Sequence, residues 1–337
     1  MITNTYFVSV VITGKNVEKT VSECLQSIIE GKYPSERFEI IYVDAESEDG
    51  SLRIVRNLTT SHRNIRCFVE TGPPGKGRNT GIAECKGQII SFTDADCVVD
   101  TSWLTNIVKH LSSEPEDVVG VGGPAVAPIS EAGVAKYIDA LWQTRFGIGW
   151  ARNPARYKGS RLTNHNPTCN SAYRRWIFDK IGMFNEKLPV TEDEELDTRI
   201  RRLGYRLLYA DDVTVFHHRK QNLRSFAKQM YSFGFWRALS GKKGLVPLKP
   251  WHLGPTLLIF GAISFSVEMT VGGPFFAVLM ALLIFYLIIG CLSGAFVARR
   301  TREIRMAFII PLLGSIQHFF YGIGFLVGLF EDRRLVT

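Results

Sequence analysis

Asp94-Ala95-Asp96 closes the run Gln88-Ile89-Ile90-Ser91-Phe92-Thr93. Apolar β-formers that give way at once to acid put two carboxylates, one residue apart, at the carboxyl end of a buried strand, where open α/β sheets bind ligands. Two such carboxylates beside a diphosphate make half of a site for Mg²⁺ or Mn²⁺. D-x-D is also a common surface turn and the acids also suit a helix N-cap, so the surroundings decide. Asp44 ends a second apolar run and offers an acceptor to a nucleobase N–H; the alternative is a turn-forming Asp. Gly75-Lys76-Gly77-Arg78-Asn79 reads as a glycine-rich basic loop able to hold a diphosphate through backbone N–H groups, Lys76 and Arg78; the alternative is an exposed Gly/Pro loop. Asp193, in Thr191-Glu192-Asp193-Glu194-Glu195, is a candidate general base; the alternative is a first-turn acid, which any helix N-terminus favours. In this order, at the strand ends of one sheet, the four features favour function over their separate bland readings.

The elements that must position these groups follow from periodicity. Residues 6–13, 38–43, 65–69 and 88–94 are expected as buried strands, with helices between them, and four such alternations predict an α/β domain with a mostly parallel, doubly wound sheet. Beyond Asp96 the pattern loosens. Helices are expected over 101–112, over 131–150 and from 191 to about 204, with short edge strands at 205–208 and 213–216. From Trp251 the composition changes, and 255–267, 274–297 and 306–330 are apolar stretches, the last two long enough to span a bilayer. Pro311, Gly314, Ser315, Gln317 and His318 make the third a candidate for a broken or re-entrant segment. Arg299, Arg300, Arg302 and Arg305 place their loop in the cytoplasm by the positive-inside rule. Three crossings then put the N-terminal domain in the cytoplasm and the tail outside, where Arg333 and Arg334 are an awkward detail. Residues 223–237 mix aromatic and basic side chains at helical spacing, as a helix lying among lipid headgroups would.

The expected division is 1–220 for the catalytic domain, 221–250 for the interfacial helix and linker, 251–330 for about three transmembrane helices, and 331–337 for a tail. The 337 residues carry a formal charge of +8, which suits a nucleotide substrate or an anionic membrane; no nucleic acid partner is expected, since no recognition motif or Lys/Arg-rich run appears. The six cysteines show no C-x-x-C spacing and read as buried free thiols in a reducing compartment. No charged segment precedes the first strand, so no signal peptide is expected.

The segments VDAESEDGS, GKGRNTGIAECKGQIISFTDAD and NSAYRRWIFDKIGMFNEKLPVTEDEELDTRIRRLGYRL, with the apolar tail, resemble a membrane-bound family-2 glycosyltransferase of GT-A fold over nearly the whole chain. The resemblance implies inverting sugar transfer from a nucleotide-diphosphate sugar with Mn²⁺ or Mg²⁺. It implies that Thr13, Asp44, Lys76, Arg78, Asp94 and Asp96 bind the nucleotide sugar, that Asp96 ligates the metal, and that Asp193 is the catalytic base. Glu192, Glu194 and Glu195 would raise its basicity by like charge. His217 or His218 is a candidate further metal ligand, an interfacial His pair being the alternative. Asn170, with a buried structural Asn as the alternative, Glu192 and Trp236 are candidates for the acceptor side, as is the stripe Trp142, Phe146, Trp150, whose alternative is core packing. Gln229 is followed by Met-Tyr-Ser-Phe, unlike the Q-x-x-R-W of processive synthases, which favours a single transfer. The implied acceptor is a lipid-linked sugar or glycan at the cytoplasmic face of the cell membrane. A polyprenyl-phosphate glycosyl synthase is the near alternative, and a non-catalytic nucleotide-sugar-binding membrane protein the distant one.

Overall fold

The computed structural model describes residues 6–147 and 158–335. They fall into two compact units, Met1–Pro128 with Arg156–His218, and Ile129–Ala155 with Arg219–Thr337. In chain order the elements are β1 (Val8–Gly14), α1 (Val21–Ile29), β2 (Phe38–Asp44), α2 (Ser51–Ser61), β3 (Ile65–Val69), α3 (Pro74–Glu84), β4 (Ile89–Asp94), β5 (Cys97–Val99), α4 (Trp103–Ser113), β6 (Val118–Gly122) and β7 (Ala125–Val126). Then follow α5 (Gly133–Trp142), β8 (Ser160–Thr163), β9 (Ser171–Arg174), α6 (Trp176–Ile181), α7 (Glu192–Arg202), β10 (Arg206–Ala210) and β11 (Val215–His217). The chain ends with α8 (Leu223–Lys242), α9 (Gly254–Val271), α10 (Phe276–Thr301) and α11 (Met306–Phe330).

The first unit is built on an eight-stranded sheet in the order β3-β2-β1-β4-β9-β6-β10-β8. The β3-β2-β1-β4 half is parallel, while β9 runs antiparallel to both β4 and β6. Both faces are covered, which is why the strands read as unbroken apolar runs instead of alternating ones. Strand alternation sends Val8, Val10, Ile12, Ile40 and Tyr42 into one core with Leu25, Ile28 and Trp103. It sends Val11, Ile41, Val43 and Phe92 into the other with Phe178, Leu196 and Ile200. A second sheet, β5-β11-β7, has three strands. Neither 205–208 nor 213–216 is at an edge: β10 lies between β6 and β8, and β11 is central in the small sheet. Their short apolar spans look like edges in sequence because their partners are hard to read there: β8 is Ser-Arg-Leu-Thr, with one apolar residue, and β5 is only three residues long.

The segment expected as a glycine-rich loop is helical. Proline at its start and a run of glycines make α3 a weak helix by propensity, and packing decides. The glycines let its backbone lie on β1: a Cβ on Gly81 would stand 2.4 Å from Val11 Cγ1, and one on Gly77 3.2 Å from Thr13 Cγ2. The helix expected over 131–150 is shorter, α5 ending at Trp142; Trp150 lies outside the described residues.

In the second unit, α9, α10 and α11 are 18, 26 and 25 residues long, apolar enough to cross a membrane. The third is one continuous helix with Pro311 inside it. The polar residues that suggested a break have partners: Gln317 accepts from Trp142 Nε1 at 2.9 Å, and Tyr286 OH lies 3.0 Å from His318 Nδ1. Helix α8 packs along α11, with Gly234 against Tyr321, Gly324 against Tyr231 and Gly328 against Phe235. These small residues let the two backbones approach closely. Trp142 and Phe146 are buried in this unit's core.

Candidate active site

The site begins at the point where strand order reverses. The chain lays down β1, moves outward to β2 and β3, and returns to place β4 on the other side of β1, which opens a crevice at the carboxyl ends. Register brings Gly14 opposite Asp44 and Thr13 opposite Asp94. Thr13, Asp44 and Asp94 are therefore neighbours along one edge of the crevice, and Asp96 follows at once. The side chains of Asp94 and Asp96 are 30% and 29% exposed, open enough to meet a ligand.

The small sheet delivers the partner of Asp96. β11 pairs antiparallel with β5 so that His217 stands opposite Cys97, and His217 Nε2 comes within 3.3 Å of Asp96 Oδ1. Ligand atoms of Asp96, Cys97 and His217 all lie within 4.8 Å of one another. Burial opposes charge on the His217 ring, but Asp96 outweighs it and pushes the imidazole up to about 10. A carboxylate, an imidazole and a thiol within one ion's reach form a donor set that fits a divalent cation. Cys97 had no signal in sequence beyond its place after Asp96. His218 instead approaches Glu23, at 3.5 Å.

Asp44 is fully buried, and its carboxylate accepts from Ser47 N–H at 2.7 Å and Ser47 O–H at 2.8 Å. These bonds fix the turn after β2, where Asn16 Oδ1 also accepts from Glu48 N–H at 2.9 Å. Lys76, in the first turn of α3, pairs with Glu70 at 2.7 Å, which holds its pKa above the ordinary value. Arg78 is only 5% exposed. Its guanidinium donates to Asp94 Oδ1 at 3.0 Å and to Glu192 Oε1 at 2.5 Å. Burial opposes its charge, but Asp94, Glu192 and Asp193 outweigh burial and hold its pKa high. Burial also pushes the Asp94 carboxyl up, against the pull of Arg78.

Through Arg78 the strand ends are joined to the start of α7. Thr191, the residue before that helix, takes a left-handed φ of 71° although it is not glycine, a conformation that persists only where its surroundings impose it. It launches α7 with Glu192 and Asp193 in the first turn, where the helix dipole favours negative charge. The acids there are not left to repel one another. Glu192 is paired with Arg78, and Glu195 with Arg199 at 2.8 Å, so two of the three like charges expected to crowd Asp193 are compensated. Burial still pushes the Glu192 carboxyl up to about 7, against Arg78 and with Asp193.

Asp193 has partners on both oxygens: Oδ1 accepts from Glu194 N–H at 2.8 Å, and Oδ2 lies 3.7 Å from His165 Nε2. Sequence reasoning passed over His165, which sits alone in a polar loop. Asn170 is fully buried. Its amide donates to the carbonyls of Pro124 and Val213 at 2.9 and 2.7 Å, and its oxygen accepts from Trp103 Nε1 at 2.9 Å. Its amide groups thus tie the turns before β7 and β11 to α4, the arrangement of a buried structural Asn. Trp236 belongs to the second unit, nearly buried and edge-on to Phe235.

The sequence model of Glycosyl transferase family 2 matches residues 9–182. Glycosyltransferase AglE of Haloferax volcanii is 29% identical over 214 residues, 63% of this chain and 66% of that protein. The probable glycosyltransferase YdaM of Bacillus subtilis is 29% identical over 208 residues, 60% of this chain but only 48% of its own length. The dolichyl N-acetyl-alpha-D-glucosaminyl phosphate 3-beta-D-2,3-diacetamido-2,3-dideoxy-beta-D-glucuronosyltransferase of Methanococcus voltae is 23% identical over 337 residues, 97% of this chain and 98% of that one. Among solved structures, the mannosyltransferase PcManGT of Pyrobaculum calidifontis, in complex with GDP-Man and Mn²⁺, has a TM-score of 0.60 at 21% identity. It covers 94% of this chain and 88% of its own. That likeness shows a shared fold, the GT-A-like α/β domain.

Proposed function

The chain belongs to Glycosyl transferase family 2, and from that premise we propose that it transfers one sugar, with inversion, from a nucleotide-diphosphate sugar to a hydroxyl of a polyprenyl-linked sugar. The observation that carries this reading is the Asp94–Arg78–Glu192 bridge, which ties the strand-end acids to the turn that presents Asp193. It makes a leaving-group half and an acceptor half of one site.

Thr13, Asp44, Lys76, Asp94 and Asp96 line the donor half. Asp96 and His217, with the Cys97 thiol beside them, would hold a divalent cation, and the imidazole nitrogen in the donor set favours Mn²⁺ over Mg²⁺, which takes oxygen ligands. The bound ion supplies neutralisation of charge on the departing diphosphate. Asp193 accepts the proton of the acceptor hydroxyl while that oxygen bonds to the anomeric carbon and the carbon–oxygen bond to the diphosphate breaks. The electron pair leaves with the nucleotide diphosphate, and a single displacement inverts the carbon. Arg78 steadies Asp94 and Glu192 and carries no proton in the step.

The polyprenyl-linked acceptor is supported by the Methanococcus voltae relative, whose name describes action on a dolichyl phosphate sugar and which matches end to end. It is also supported by three apolar helices that would keep the catalytic unit at a membrane. The loop holding Arg299, Arg300, Arg302 and Arg305 favours a cytoplasmic catalytic unit.

The test is nucleotide diphosphate release by the full chain in detergent, with a panel of UDP- and GDP-sugars and Mn²⁺ or Mg²⁺. Acceptors are polyprenyl phosphate, polyprenyl-linked sugars, or none. Release should depend on metal and rise with a polyprenyl-linked sugar, and Asp193→Asn should lower turnover about 100- to 10,000-fold. Stimulation by bare polyprenyl phosphate alone would make the enzyme a polyprenyl-phosphate glycosyl synthase instead. No release from any donor would leave a nucleotide-sugar-binding protein.

A further inference from the structure

We infer that His165, held from behind by the buried Asp197, is the positioning residue that keeps the Asp193 carboxylate aligned for proton transfer; the inference rests on Asp193 being the base. Asp197 lies one turn beyond Asp193 on α7, so both carboxylates emerge from the same helix face. Its side chain is 0% exposed. Three donors fix it: His165 Nδ1, the Asn166 N–H and the Tyr173 O–H, each at 2.8 Å. A buried acid with three such bonds has one position available. It orders the loop after β8 and dictates the ring's orientation, since the nitrogen facing Asp197 must carry a proton.

The other ring nitrogen then has one direction. Nε2 points at Asp193 Oδ2, 3.7 Å away, while Oδ1 is taken by the Glu194 N–H. The base is thereby gripped at both oxygens, by backbone on one side and imidazole on the other. The 3.7 Å separation is an ion-pair distance; such contacts often tighten only when substrate is bound.

The arrangement has a charge consequence. The acids facing the ring are Asp193, Glu194 and Asp197 from α7, with the Tyr173 hydroxyl of β9 on the far side of Asp197. Burial disfavours the imidazolium, but these acids outweigh it and hold the ring's pKa above its ordinary value. Burial in turn raises Asp197, so the pair retains its shared proton past the ordinary imidazole range. Below that raised pKa the imidazolium is present and Asp193 is anchored. As pH climbs through it the positive charge is lost, the anchor weakens, and turnover declines.

Two measurements on the full chain in detergent test this. The first needs no turnover. In protein labelled at histidine, the His165 ring resonance, assigned by its loss in His165→Gln, should titrate above the usual imidazole range. Asp193→Asn should lower that titration, because a facing negative charge has been removed. The second uses nucleotide diphosphate release with the donor from the UDP- and GDP-sugar panel. His165→Gln should lower kcat about 100-fold, the size expected for a misplaced base, with donor KM unchanged and the alkaline limb of the kcat profile gone. Asp197→Asn should shift that limb to lower pH. A His165 titration unmoved by Asp193→Asn overturns the inference, as does a wild-type kcat and pH profile in His165→Gln when Asp193→Asn is inactive. Asp193→Asn retaining turnover overturns the base assignment beneath it.

Discussion

At the scale of single residues, Arg78 changes meaning most between sequence and structure. In a basic, glycine-rich stretch it reads as a ligand for a diphosphate; in the fold it is a nearly buried cation between Asp94 and Glu192. Burial pushes the Glu192 carboxyl up to about 7, against the pull of Arg78 and with the like charge of Asp193 adding to it. A folded carboxyl raised above its unfolded value binds its proton more tightly in the native state. Its contribution to stability is complete below the ordinary Glu range and is lost as pH rises through about 7. Glu192→Gln cannot ionise, so its thermal unfolding midpoint should fall less than that of the wild type between pH 5 and pH 8. Equal falls in the two proteins would mean that the carboxylate is fully ionised throughout. No proximity in sequence could reveal this, because Arg78 and Glu192 are 114 positions apart.

At the scale of elements, α3 is where glycine content misleads. Each glycine weakens a helix by about 1 kcal/mol relative to alanine, so several within two turns argue for a loop. The sheet reverses that judgement, because only a backbone without Cβ atoms can lie so close to β1. Gly81→Ala tests which term wins. Helix propensity favours alanine by about 1 kcal/mol. Overpacking costs about 1–3 kcal/mol, and at 2.4 Å from a branched valine methyl the cost should sit toward the upper end. The variant should therefore be destabilised, seen as a lower melting temperature of the full chain, and should move Arg78 on the same helix. An unchanged or raised melting temperature would mean that α3 can lift from β1. The same local-against-global conflict explains why β9 was passed over: four residues, Ser171–Arg174, form a central strand because β4 and β6 supply both partners.

At the scale of the molecule, the membrane-directed unit poses a topological question. Composition alone predicts three crossings and a tail on the outer side, but α8 bears Arg224, Lys228, Arg237 and Lys242 and lies along the C-terminal half of α11. Lys242 Nζ donates to the Leu329 carbonyl at 2.9 Å and reaches Asp332 at 3.0 Å. A charged side chain at mid-bilayer costs about 3 kcal/mol or more, so a helix carrying four would not follow α11 through hydrocarbon. The expectation that follows is two crossings, α9 and α10, with the arginine loop after α10 and Arg333 and Arg334 of the tail on one side, as the positive-inside rule prefers. A C-terminal tag should be cleaved by protease only in vesicles oriented so that the catalytic unit is also accessible. Cleavage from the opposite side would restore three crossings.

The sequence by itself determined what depends on neighbours along the chain. Asp94 and Asp96 follow an apolar run and so end a buried strand; Thr191-Glu192-Asp193 opens a helix; the apolar stretches are long enough for a bilayer. Hydrophobic burial and helix initiation are local physics, and they were legible. Tertiary structure decided what depends on register and on which face a side chain takes. Pairing of β11 with β5 brings His217 to Asp96. The packing of α3 against β1 carries Arg78 to an acid on α7. The buried Asp197 aims His165 at Asp193. Each such contact joins segments that are remote in sequence, and its strength comes from exclusion of water, which exists only once the sheet and its covering helices have closed over it.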